Sequence, residues 1–108
     1  MRIDTFKHVN PEFWKVVIPA IQKVAVESGK KSFPIFGEVA DGSPQTLSTY
    51  VAGGQVPSVL DFGFNEQVTK YVASYGSSDR LVKLFNADDL YTTQKTSAYG
   101  LATFLGNH

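Results

Sequence analysis

The sequence predicts an α/β fold in which parallel strands alternate with helices, and three observations lead to that expectation. Apolar residues recur at helical spacing between Asn10 and Ser28, and again between Asn65 and Tyr75. Short, almost uninterrupted apolar runs at Phe33 to Val39 and Ser58 to Phe62 fit strands covered on both faces. The two patterns take turns along the chain, which implies parallel strands joined by right-handed crossovers. An open doubly wound sheet and an arc of a (β/α) barrel both satisfy this alternation, and periodicity does not separate them.

Each element has its own justification. Arg2 and Ile3 form a short strand closed by Asp4. The helix from Asn10 to Ser28 should turn Phe13, Val16, Val17, Ala20, Ile21, Val24 and Ala25 to a buried face. Asn10 can cap its free N–H groups, Pro11 sits where a missing donor is harmless, and Gly29 can adopt the left-handed conformation that ends it. Pro19 lies inside this helix and should bend it, convex towards solvent. After the run ending at Val39, Asp41 to Pro44 signal a turn and a brief helix to Tyr50, and Gly53 with Gly54 signals a break. This long connection is a candidate functional surface.

Beyond the run at Ser58 to Phe62, Val68, Tyr71, Val72 and Tyr75 define the next helix, with Gly76 as its stop. Ser77 or Ser78 can cap a further short helix through Phe85, and Leu101 to Leu105 offers a last strand. The order is β-α-β-(α)-β-α-α-β, with no internal repeat and no linker dividing it.

Composition narrows the functional classes. The chain has 108 residues, 43% hydrophobic and 13% aromatic, which suits a folded domain. Ten Lys plus Arg balance ten Asp plus Glu without runs of either sign, so nucleic acid and anionic membranes are not the expected partners. No cysteine is present, which excludes disulfides, a thiolate nucleophile and a cysteine zinc site and leaves the redox compartment open. No apolar stretch nears the roughly 20 residues of a membrane span, and no secretory signal opens the chain. Because Met1 onward reads like the middle of a domain, that start says little about localisation.

Chemistry enters at strand ends. Asp4 and Glu38 each close a short strand, and His108 ends a third. In parallel α/β folds the carboxyl ends of neighbouring strands gather distant residues into one pocket. Taken singly, each acid is most simply a helix cap or a surface group. Together, the surrounding strings say more. RIDTFKHV at Arg2 to Val9 resembles the segment of the α-amylase family, glycoside hydrolase family 13, that ends the fourth barrel strand and bears the nucleophile. FGEV at Phe36 to Val39 is similar to the fifth-strand segment with the proton donor, and FLGNH at Phe104 to His108 to the seventh-strand segment. All three stand in family order.

The resemblance implies a partial (β/α)8 TIM barrel, an arc of about four parallel strands with helices, and residues 1–108 as an internal fragment of a catalytic barrel domain that usually needs about 250 residues. It implies Asp4 as nucleophile and Glu38 as general acid and base, with Arg2 keeping the nucleophile charged and oriented. It places Lys7, His8 and His108 against sugar, and the backbone carbonyl of His8 beside a structural calcium in the full-length parent; no cofactor is expected in the fragment alone. The substrate class would be an α-1,4-linked, starch-like glucan, and the parent secreted or periplasmic. A retaining mechanism asks for two carboxyl groups about 5 to 5.5 Å apart, and Glu38 would be expected to hold its proton through a raised pKa. Tyr50, Tyr91 and Tyr99 could stack on glucose rings, with core packing or plain exposure as the simpler roles.

Departures qualify the expectation. The family's third acid follows the histidine, and the sequence stops at His108. Phe6 stands where a small aliphatic residue is common. The fragment is therefore expected to be nearly inactive by itself, and to associate with itself through open sheet edges and uncovered apolar surface. A non-catalytic sugar-binding or assembly module is the alternative, and retention of both Asp4 and Glu38 argues against it.

Overall fold

The computed structural model of the protein describes residues 1–107 and contains a three-stranded parallel sheet in chain order, β1 (Arg2–Ile3), β2 (Phe36–Gly37) and β3 (Ser58–Val59). Arg2 pairs with Phe36 and Phe36 with Ser58; Ile3 pairs with Gly37 and Gly37 with Val59. A parallel bridge between Leu60 and Ala102 marks a fourth position beyond β3. The expected strands at 33–39, 58–62 and 101–105 thus shrink to short ladders. Pro34 lacks the donor a longer β2 needs, and the last segment meets β3 through a single bridge.

Four helices connect and follow the strands: α1 (Pro11–Glu27), α2 (Pro44–Ala52), α3 (Phe62–Ala73) and α4 (Asp79–Phe85). The element order agrees with the sequence reading as far as α4, and the expected last strand is reduced to the bridge at Ala102. The architecture is α/β with parallel strands, compatible with an arc of a barrel.

Local chemistry sets most of the boundaries. Asn10 accepts from the Glu12 N–H at 3.0 Å to start α1, and Gly29 is left-handed with φ of 77° just beyond its end. Pro19 is exposed and the helix runs unbroken across it, although its missing N–H can make no bond back to the Lys15 carbonyl. Ser43 Oγ accepts from Thr46 N–H at 3.3 Å to open α2. The α3 helix begins three residues earlier than expected because Asp61 caps it, accepting from Phe64 N–H at 2.8 Å. Its end also differs: the left-handed residue is Tyr75, with φ of 50°, rather than Gly76. Gly76 instead comes close to the Lys70 carbonyl, to which its N–H donates at 3.2 Å.

The core lies between the sheet, α1 and α2. Phe6, just past β1, is fully buried and stacks on Trp14 of α1 with centroids 4.5 Å apart. Ile18, Ile35, Val39, Leu47 and Val59 complete the centre. Only part of the predicted α1 face is covered. Trp14, Ile18 and Ala25 are buried, with Val17 and Ile21 partly so, while Val16 and Val24 are 71% and 60% exposed. The apolar stripe is wider than the sheet beneath it, and its outer half lines a groove of about 520 Å³ with Ala20, Ile21 and Phe33. Among the described residues no helix is long and apolar enough to cross a membrane.

Candidate functional site

The parallel register brings the two acids together. Because Ile3 pairs with Gly37, the residues that follow, Asp4 and Glu38, leave the same carboxyl end of adjacent strands. Arg2 joins them. Its Nε donates to Asp4 Oδ1 at 2.5 Å and its Nη2 to Glu38 Oε1 at 3.1 Å, so both carboxylates lie within the span of one guanidinium. The Arg2 side chain is 31% exposed, Glu38 14% and Asp4 63%, so the site grades from a sheltered acid to an open one.

The backbone after β1 is shaped around Glu38. Thr5 adopts φ of 51° and ψ of 32°, a left-handed conformation that costs a non-glycine residue about 1 kcal/mol or more. That turn aims the Thr5 N–H at Glu38 Oε2, 3.0 Å away, while Phe6 N–H donates to the Glu38 carbonyl at 3.0 Å. A short 3-10 turn, Phe6–His8, follows and carries the chain towards α1.

Electrostatics correct one expectation. Glu38 is held below its ordinary pKa, not above it. The Thr5 N–H is the main cause, opposed by desolvation; the Asn107 amide and the Arg2 charge lower it further, and Asp4 raises it. Hydrogen bonds to the charged form outweigh partial burial and the neighbouring carboxylate. As arranged, Glu38 is a carboxylate at neutral pH, ready to accept a proton.

The other sequence-predicted residues divide. Lys7 Nζ donates to the Ala40 carbonyl at 3.0 Å, tying the turn after β1 to the loop after β2. His8 is exposed at the end of its turn. Among the described residues no group of three or more His, Cys, Asp or Glu gathers to hold a metal. His108 lies outside the described residues. Tyr91 is a buried core residue, Tyr99 is fully open, and Tyr50 packs edge-on against Phe6 at 6.1 Å.

Three contributors were not singled out from the sequence. Thr5 acts through its backbone, which no residue type announces. Asn107, whose Oδ1 accepts from Arg2 Nη1 at 3.2 Å, was visible only as a letter in the last motif. Phe6 anchors the turn that carries Thr5, although its size at that position was noticed.

With this geometry in place, the comparisons with known proteins can be weighed. No protein-family profile matches the sequence. An α-amylase of Streptomyces lividans is 41% identical over 107 residues, which is 99% of this chain and 12% of that protein. The similarity to that α-amylase runs over 107 of the 108 residues. The resemblance read from three short strings therefore extends through the helices between them, and the chain spans about an eighth of its relative.

Proposed function

We propose that this chain forms strands four to seven of the catalytic barrel of an α-amylase-type retaining glycosidase that hydrolyses α-1,4-glucosidic bonds in starch-like glucans. The observation that carries the reading is the attachment of Asp4 and Glu38 to one guanidinium at the carboxyl ends of adjacent parallel strands. The 41% identity to an α-amylase supports the substrate class.

In this reading Asp4 attacks the anomeric carbon while Glu38 gives a proton to the departing oxygen; Glu38 then takes a proton from the water that releases the sugar from Asp4. Arg2 keeps Asp4 turned towards the anomeric carbon and prevents the two carboxylates from repelling each other apart. The lowered pKa of Glu38 suits the second step directly. For the first step a proton must be loaded, and bound sugar supplies the means: it covers the carboxyl and strengthens desolvation, the influence that already opposes the Thr5 N–H. Lys7 and His8, on the turn beside Asp4, border the leaving-group side, and His108 would meet the sugar at the cleavage point.

The test is Asp4→Asn and Glu38→Gln in the full-length protein, assayed on soluble starch. Each should lose at least about a thousandfold in kcat; retained turnover in either would overturn the assignment. The 108-residue polypeptide by itself should release reducing sugar at a rate close to background.

A further inference from the structure

We propose that Asn65 is a positioning residue: its side-chain amide stands in for a missing strand partner and seats Phe104, which fixes the course of the last segment beside the site. The catalytic consequence rests on the reading of Asp4 and Glu38 as the reacting pair, whereas the seating itself does not.

The last segment meets β3 as a parallel neighbour and then loses it. Ala102 N–H donates to the Val59 carbonyl at 3.1 Å and Asp61 N–H to the Ala102 carbonyl at 3.0 Å, which makes the bridge opposite Leu60. One step further, a parallel ladder would pair the Phe104 N–H with the Asp61 carbonyl, and the N–H of Gly63 with the Phe104 carbonyl. Among the described residues neither bond is present. The chain has turned into α3 at Phe62, and the Asp61 carbonyl accepts from Asn65 N–H at 3.1 Å instead.

Asn65 supplies the replacement. Its Nδ2 donates to the Phe104 carbonyl at 3.3 Å, across 39 residues of sequence. A carbonyl only accepts, so the amide nitrogen must be the atom that faces it. The Phe62 ring packs edge-on against Phe104 with centroids 5.0 Å apart, so the start of α3 holds this residue by its backbone and by its ring. Beyond Phe104 the segment is open: Leu105, Gly106 and Asn107 are all exposed. Three residues reach at most about 11 Å, so a fixed Phe104 confines where Asn107 meets Arg2, whose Nη1 donates to its Oδ1 at 3.2 Å. Asn65 therefore acts on the site through the segment it seats.

The substitutions follow from this role. Asn65→Leu fills similar space without a donor. Asn65→Asp keeps the shape, removes the donor and turns a carboxylate oxygen towards the Phe104 carbonyl, while a negative charge near the start of a helix suits α3. The experiment measures kcat and KM on soluble starch, together with amide hydrogen exchange, for the full-length protein and both variants. Each variant should lose about tenfold or more in kcat with KM within about twofold, because substrate still binds but the reacting geometry is less well held. Exchange should quicken about tenfold or more at Asp61 and Ala102, whose amides make the bridge, while amides in the middle of α3 keep the parent's rate. Exchange at Ala102 that matches the parent's overturns the proposal, whatever the activity does. Exchange that quickens equally throughout α3 also overturns it, since a merely structural role would loosen the whole helix, and so does an unchanged kcat. Asn65→Leu keeps the test open if Asn65→Asp fails to fold. Asp4→Asn and Glu38→Gln run in parallel separate the two claims: activity retained there sinks the glycosidase reading, whereas activity lost there with unmoved exchange at Ala102 sinks this inference alone.

Discussion

Gly37→Ala tests how the core holds the site. A Cβ added at Gly37 would lie 2.7 Å from Phe6 Cγ, 2.9 Å from its Cδ2 and 3.0 Å from its Cβ. Carbon atoms prefer about 3.5–4.0 Å, so something must move. Phe6 has little room: it is fully buried, stacked on Trp14 at 4.5 Å and met edge-on by Tyr50. Overpacking of this kind costs about 1–3 kcal/mol. For a domain near this size, 2 kcal/mol corresponds to a drop in Tm of roughly 8–16 °C. Trp14 is the single tryptophan, so its fluorescence during urea or thermal unfolding of the 108-residue chain reports on the affected contact. A second substitution, Phe6→Leu in the Gly37→Ala background, should restore part of the loss, giving a coupling of about 0.5 kcal/mol or more. A Gly37→Ala midpoint within about 0.5 kcal/mol of the parent, or no coupling with Phe6→Leu, would refute the packing argument. Phe6 also follows Thr5 and its N–H donates to the Glu38 carbonyl, so the proposed hydrolysis of starch should fall as well in the full-length variant.

Other outcomes follow from particular contacts. Burial, aided by the Asp88 charge and opposed by the Phe64 N–H, pushes the Asp61 carboxyl above its ordinary value of 3.8. The folded state then binds this proton more tightly than the unfolded one, so the contribution is full below 3.8 and is lost as pH rises through the raised folded value. Asp61→Asn keeps an oxygen for the α3 cap and removes that loss; its stability should decline less between pH 4 and pH 7, and urea titrations giving parallel curves would contradict it. Ser43→Ala removes the side-chain acceptor at the start of α2 and should destabilise by about 1 kcal/mol, read as a lower urea midpoint. The uncovered stripe of α1 should drive self-association of the 108-residue chain. Sedimentation should show this reduced in Val16→Lys with Val24→Lys, and a monomeric parent at high concentration would rule it out.

What the sequence by itself determined is what acts over a few residues. Asn10, Pro11 and Ser43 mark helix starts because a cap satisfies N–H groups two or three positions away. Apolar spacing located the helices, and the strings around Asp4 and Glu38 pointed to adjacent strand ends that the register then brought together. The tertiary structure decided the rest. Periodicity records that Val16 and Val24 are apolar, but not that the sheet is too narrow to cover them. Residue types suggested a proton-bearing Glu38, yet its state depends on a Thr5 N–H 33 residues distant and an amide from Asn107. Hydrogen-bond donors that reach a carboxylate across such separations exist only once the chain has folded, which is why the acids were legible in the sequence and their electrostatic environment was not.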